Sequence, residues 1–385
     1  MIYFDNAATT PVRREVLEKA LPFLETAYGN ASSVYSLGRE AKKAVETARA
    51  EAAAVIGADV SEIFFTSGGT EADNWAIKGA AEALKDKGRH LITTAIEHHA
   101  VLHTFEYLEK NGYEATYLPV DKDGLVDPKE LEAAIRPDTI LISVMFANNE
   151  IGVLQPIAEI GEISRRRGVL FHTDAVQAVG HVPVNAPELK IDMLSLSGHK
   201  LYAPKGAGAL YVRRGVKIAQ FMHGGAQERK RRAGTENVAG VAALGEALRL
   251  ASAEMELEAE RARKLRDRIT DGILNNIPHT FLNGHREKRL PGNINISFEY
   301  IEGESLLLLL DGKGIAASSG SACTSGSLDP SHVLLALGLP HEKAHGSLRI
   351  SIGRFNTEED ADALLRELPP IVARLREMSP LWSDR

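Results

Sequence analysis

Several side chains that follow apolar, β-type runs suit one task between them: holding a flat anionic group and reacting with it. Lys200 closes the segment Ser197-Gly198-His199-Lys200. Burying an ammonium in a cleft is costly unless its pKa falls or it reacts, and Schiff-base lysines need that environment. Asp174 and Gln177 follow a second run; an acid there can cap a helix or keep a ring nitrogen protonated. His98, in Glu97-His98-His99, can stack on a planar ring or serve as acid or base. Ser67-Gly68-Gly69-Thr70-Glu71 opens a helix, where free N–H groups and the dipole favour a phosphate and glycines allow close approach. Asn148-Asn149-Glu150 offers polar amides at the same rim. Each piece has an ordinary structural reading, such as a Gly-Gly turn with a threonine cap. Together they supply what pyridoxal phosphate requires: a lysine for an imine, an acid for the ring nitrogen, a planar partner and phosphate donors.

Two further features bear on chemistry. His99 and His103 have the i, i+4 spacing of helical zinc ligands, but the HExxH glutamate and an evident third ligand are missing, so no metal is expected. Cys323 is the only cysteine, and residues 317–327 read A-S-S-G-S-A-C-T-S-G-S, without one large side chain. A cysteine is usually a small buried apolar residue. These neighbours would bury it poorly, and Gly/Ser sequence is mobile and solvated, so the thiol is read as reactive.

The elements that must position these residues alternate. Residues 63–66, 91–95, 116–120, 140–146, 169–173, 193–197 and 209–212 read as short strands. Amphipathic helices lie between several of them. One starts near Thr70 and ends before Gly88 with lysines in its last turns; another follows Pro156 and ends on Arg165-Arg166-Arg167-Gly168, a basic helix terminus rather than a nucleic-acid patch. Strand–helix–strand repetition implies an α/β fold, a mostly parallel sheet covered on both faces, with ligands at the carboxyl ends of its strands. Beyond residue 235 a long helix over 237–275 leads into strands at 293–298 and 348–352 and helices over 302–310 and from 358, a smaller α+β lobe.

Composition narrows the function classes. At 44% hydrophobic and 25% charged residues the chain is globular rather than disordered. A net charge of −7, spread along the chain, argues against a nucleic-acid surface. The longest run of large apolar side chains, 306–310, is far short of the ~18 residues that span a bilayer. Met1-Ile2-Tyr3-Phe4 lacks the basic and apolar parts of an export signal, so no membrane partner and a cytoplasmic location are expected. One thiol excludes an internal disulfide and a self-contained Cys₄ metal centre.

Longer motifs run nearly end to end: Asp5-Asn6-Ala7-Ala8-Thr9-Thr10-Pro11, Thr66-Ser67-Gly68-Gly69-Thr70-Glu71, Glu97-His98, Asn148-Asn149-Glu150-Ile151-Gly152, His172-Thr173-Asp174-Ala175-Val176-Gln177, Ser197-Gly198-His199-Lys200, Arg232-Ala233-Gly234-Thr235, Ser319-Gly320-Ser321-Ala322-Cys323-Thr324-Ser325, Leu348-Arg349 and Gly353-Arg354-Phe355. In these the sequence resembles the class I cysteine desulfurases, fold type I pyridoxal phosphate enzymes of the nitrogen-fixation and iron–sulfur cluster assembly type. The resemblance implies a large cofactor-binding domain over 13–250 and a small domain over 251–385 carrying the cysteine loop, with residues 1–12 near the small domain. It implies that Lys200 bonds pyridoxal 5′-phosphate, Asp174 pairs with the ring nitrogen, Gln177 with the phenolic oxygen, and His98 stacks on the ring and moves protons. Gly69, Thr70, Ser197 and His199 would hold the phosphate, with Thr235 entering from the other subunit of a homodimer. Asn149 and Arg349 would hold the substrate carboxylate, Arg354 would be structural, and Cys323 would take sulfur from L-cysteine as a persulfide, leaving L-alanine, with Lys200 or His98 as the base. A transient protein would accept the sulfur, for iron–sulfur clusters, tRNA thiolation or cofactor synthesis. Selenocysteine lyases share most of this machinery, and aminotransferases share the fold. Two departures stand out: Ala31 and Tyr35 replace the family's usual proline and histidine, and the tail is short beside relatives whose tail docks a scaffold, which leaves the acceptor open.

Overall fold

A computed structural model describes residues 1–319 and 330–382. The chain starts with β1 (Ile2–Tyr3), α1 (Arg14–Glu25) and α2 (Ser36–Val55). Strands and helices then alternate: β2 (Ile63–Thr66), α3 (Gly69–Leu84), β3 (His90–Thr94), α4 (His99–Glu109), β4 (Glu114–Leu118), α5 (Pro128–Ala134), β5 (Thr139–Ser143), α6 (Ile157–Arg167), β6 (Leu170–Asp174), β7 (Met193–Ser197) and β8 (Gly208–Val212). These strands form one sheet in the order β2-β8-β7-β6-β5-β3-β4. β3 to β7 pair in parallel, and β8 runs antiparallel to both β2 and β7. All seven expected strands are present, within a few residues of the expected bounds.

Pleating divides the strand residues between two cores. Phe64, Leu91, Leu141, Met193 and Leu210 face α3 and α4. Phe65, Ile92, Ile142, Phe171, Leu194 and Leu196 face the opposite side, against α1, α2 and α6. α6 stops on Gly168, whose φ of 70° is the left-handed cap that glycine adopts without strain, with Arg165, Arg166 and Arg167 in its last turn. α3 departs from expectation. It ends at Leu84, so Lys85 and Lys87 fall in the turn beyond rather than in its last turn.

After a short turn, α7 (Gln227–Lys230), comes α8 (Val238–Asn276), 39 residues and about 58 Å long. Its first half packs in the sheet's core through Val241, Leu244 and Leu248; its second half, through Leu265, Ile269 and Ile273, joins a separate core. That core also holds β9 (Thr280–Leu282), β10 (Asn293–Phe298), α9 (Gly303–Asp311), β11 (Ile315–Ala316), β12 (Ser347–Ser351) and α12 (Glu358–Met378), which a capping box between Thr357 and Asp360 opens. Two short helices, α10 (His332–Ala336) and α11 (His341–His345), lie against Ile96, Met145 and Ile151 of the first lobe. β1 pairs with β11, and Phe4 is buried in the second core. Among the described residues no helix is long and apolar enough to cross a membrane.

Candidate active site

The carboxyl ends of β6 and β7 and the start of α3 meet beneath the N-terminal segment. β7 ends at Ser197, and one tight turn (198–200) carries Lys200. Its Nζ donates to the main-chain oxygens of Ala7 and Ala8, each at 2.6 Å. Gln177 Nε2 donates to Ala7 O at 3.0 Å, and Thr10 binds His199 O through both its amide and its hydroxyl. The carbonyls of Ala7 and Ala8 are site atoms that no side-chain reading reveals; the Asn6-Ala7-Ala8-Thr9-Thr10 motif was their one signal.

Asp174 ends β6, buried, with Oδ1 accepting the Val176 amide at 2.9 Å. Burial pushes its carboxyl up, while that amide and the Lys200 charge pull it back. His98 caps α4, its Nδ1 accepting the Ala100 amide at 3.1 Å. That bond puts the neutral ring's proton on Nε2. Burial and the Lys200 charge hold the imidazole down at about 4, so it is neutral near pH 7. His199, also lowered to about 4 by burial and Lys200, has Nδ1 3.1 Å from Thr9 Oγ1, which leaves Nε2 for another partner.

Gly68 has φ 156° and ψ −175°, a backbone that residues with side chains rarely adopt, and packs on Gly208 so closely that a Cβ there would stand 2.6 Å from Gly68 Cα. A Cβ on Gly69 would stand 2.6 Å from Val176 Cγ2. These close approaches press the first turn of α3, with Thr70, against the ends of β6 and β7, near Ser197.

Arg349, on β12, is buried; Nη1 donates to Asn149 O (3.1 Å) and Nη2 to Asp5 Oδ1 (2.8 Å), while its buried Nε makes no hydrogen bond among the described residues. The substrate-binding expectation thus has an acidic neighbour, Asp5, that the sequence reading did not weigh. Arg354 pairs with Glu254, and both line a cavity that Gln177 and Lys200 also line. Thr235 is exposed and follows a loop where Glu228, Arg229 and Lys230 all have positive φ. Glu228 is buried and paired to Arg49 at 2.8 Å, which anchors that strained loop. His99 stacks on His103 and packs against His332, with ring centroids 4.9 and 4.8 Å away.

Cys323 lies outside the described residues. The flanks of its segment do not: Ser318 bridges to Arg349, the Ser331 hydroxyl donates to the Glu150 carboxylate, and His332 Nε2 lies 3.0 Å from Glu97 O. Both flanks therefore meet the cleft.

Two buried acids were not singled out from sequence. Burial pushes Glu150 up to about 7 and Glu97 up to about 8. Glu97 Oε1 accepts from Thr94 Oγ1 (2.7 Å) and the Met145 amide (2.9 Å), while Oε2 is buried without a hydrogen bond among the described residues. A raised pKa means that the folded state keeps a proton the unfolded chain has lost, so Glu97 withdraws stability as pH rises from about 4.5 through 8. Glu97→Gln removes that titration. Denaturant unfolding should show the variant gaining on the wild type across this window, by a few kcal/mol at most; a pH-independent difference would contradict it.

The donors suit pyridoxal phosphate: a lysine amine, a buried carboxylate, an imidazole with its proton turned away from the backbone, and a helix N-terminus held open by glycines. The aminotransferase class-V family model matches residues 2–364. A cysteine desulfurase IscS of Methanosarcina thermophila is 62% identical over 99% of this chain and 94% of its own length. A solved structure described as a NIFS-like protein is 40% identical, covers 97% of this chain and all of its own, and superposes with a TM-score of 0.92. Another, described as SspA in complex with cysteine, is 37% identical over 93% of this chain and all of its own, with a TM-score of 0.82.

Proposed function

Because the chain belongs to the aminotransferase class-V family and, within it, to the class I cysteine desulfurases, we propose that it strips sulfur from L-cysteine with pyridoxal 5′-phosphate, releases L-alanine and carries the sulfur as a persulfide on Cys323. The observation that carries this reading is one cleft that gathers Lys200, Asp174 and His98 and is also met by both flanks of the Cys323 segment. A relative solved with cysteine bound supports the choice of substrate.

When bound, the cofactor supplies a conjugated ring that takes up the electron pair released at the substrate's α-carbon. Lys200 would hold it through its amine, Asp174 would keep its ring nitrogen protonated, Gln177 would serve its phenolic oxygen and His98 its ring. Gly69, Thr70, Ser197 and His199 hold its phosphate. Lys200 is the base at the α-carbon, because His98 Nδ1 is engaged by the Ala100 amide and its Nε2 offers a proton rather than a lone pair. Arg349 presents a guanidinium to the substrate carboxylate beside Asn149, with Asp5 as the pair to be shared or displaced. The Cys323 thiolate attacks the substrate sulfur: the S–S bond forms, the C–S pair stays with the three-carbon fragment, and protonation delivers alanine.

Thr235 acts in a homodimer, reaching the phosphate of the second subunit. Leu17, Leu21 and Leu24 of α1, with Tyr28, Val34 and Tyr35, are exposed apolar side chains suited to that interface, and two of them flank or include a departure from the family pattern. The enzyme is cytoplasmic and passes its sulfur to a transient protein acceptor. Protein loaded with pyridoxal phosphate, given L-cysteine and a thiol reductant, should release sulfide and alanine in equal amounts; production of neither would sink this reading.

A further inference from the structure

On the sheet face covered by α3, the apolar layer gives way toward the strand ends to a buried polar one. His172, on β6, has Nδ1 2.9 Å from Ser143 Oγ of β5 and Nε2 3.0 Å from Ser195 Oγ of β7. From α3, Asp73 enters the same layer: its Oδ1 is 3.6 Å from His172 Nε2, and its carboxyl interacts with the Ser195 hydroxyl. All four residues are at most 1% exposed. Asp174 stands two residues beyond His172, on the same face of β6, in register with Ser195.

Such a layer costs free energy unless its groups satisfy one another, and Asp73 Oδ1 makes no hydrogen bond among the described residues. The other inward residues of α3 are apolar: Ala72, Trp75, Ala76 and Ala80 are fully buried, and an alanine at 73 would simply extend that row. The placement of the carboxyl explains its presence. It joins α3, whose first turn bears Gly69 and Thr70, to β6 and β7, which lead to Asp174 and Lys200. We propose that Asp73 is a positioning residue that fixes the span between the phosphate end and the ring-nitrogen end of the cofactor site. Burial and the charge of Asp174 push the Asp73 carboxyl well up, with Glu97 adding to the effect and the Ser195 hydroxyl opposing it. Asparagine has nearly the same shape and keeps a carbonyl oxygen at that position, so it can imitate the carboxyl in this layer. The groups facing it are His172 and Asp174 from β6, Ser195 from β7 and Glu97 from the turn after β3.

The inference rests on the cofactor assigned above. The test titrates pyridoxal phosphate into apoprotein of the wild type, Asp73→Ala and Asp73→Asn. It reads the cofactor dissociation constant, the pH midpoint of the bound cofactor's visible absorbance and the melting temperature of each apoprotein. Asp73→Ala should bind about tenfold more weakly and shift the midpoint by about half a pH unit or more, whereas Asp73→Asn should stay within about twofold of the wild type. If Asp73→Ala does not fold, Ser195→Ala carries the same expectation, since it removes the strand-side partner of the carboxyl. Loss of apoprotein melting temperature with unchanged affinity and midpoint overturns the inference, and so does an asparagine variant as impaired as the alanine one. Wild type that binds the cofactor while Asp73→Ala matches it overturns this inference alone; wild type that binds none overturns the proposed function and this inference with it.

Discussion

A Cys323→Ala variant should keep the visible absorbance of its bound cofactor and lose sulfide release from L-cysteine by about three orders of magnitude or more, the scale of loss when a covalent nucleophile is removed. The two halves of this expectation come from different parts of the chain. On the proposed function, cofactor retention depends on Lys200, Asp174 and His98, each at or just beyond the carboxyl end of a strand of the seven-stranded sheet. On that same proposal, sulfur transfer depends on Cys323, whose segment is flanked by Ser318 and His332, which meet Arg349 and the Glu97 carbonyl. Serine would not substitute, because an alkoxide at neutral pH is too rare and too hard to displace carbon from sulfur. Absorbance spectra and a sulfide assay on the same sample separate the halves. A variant that releases sulfide at nearly the wild-type rate would mean that the cleft eliminates sulfur directly and that Cys323 is incidental.

Lys200→Ala should have a larger effect still: cofactor that dialysis removes, and turnover lower by about four orders of magnitude or more. The lysine is assigned two tasks, so its loss removes both the covalent tether and the base at the α-carbon. His98 cannot take over the second task while its Nδ1 accepts the Ala100 amide. The substitution also leaves the carbonyls of Ala7 and Ala8 without the Nζ donor they share, so the N-terminal segment should loosen. Added methylamine offers a control, since a free amine can restore proton transfer without restoring the tether. A Lys200→Ala protein that keeps its cofactor through dialysis and turns over cysteine would contradict the assignment.

Much of the scaffold was legible from residue types. Strands buried on both faces read as near-continuous apolar runs, and β2 and β8 stand out for that reason. Their ends were less so. Residues 144–146 stay buried although the ladder of β5 stops at Ser143, because burial rather than pairing sets hydrophobicity. α3 stops at Leu84 because the pattern of its buried face ends there, whatever the attraction of lysines to a helix end. In the site, groups whose role follows from side-chain chemistry were visible: the lysine, the acid after β6 and the histidine after β3. The contacts of Ala7 and Ala8 were not, since main-chain carbonyls carry no residue signature. The Asp5–Arg349 pair joins positions 344 residues apart, and Asp73 sits in an otherwise ordinary amphipathic helix. Burial marks Asp73, Glu97 and Glu150 as unusual, and burial is a property of the fold rather than of local sequence.

The central claim is that Cys323 receives the substrate's sulfur. It is tested most directly by giving the loaded protein one equivalent of L-cysteine without reductant, trapping thiols with an alkylating reagent and measuring the mass of the peptide that contains Cys323. The expected result is a gain of one sulfur atom on that cysteine, in amounts equal to the alanine formed. Alanine formed with no added sulfur on Cys323 would contradict the claim.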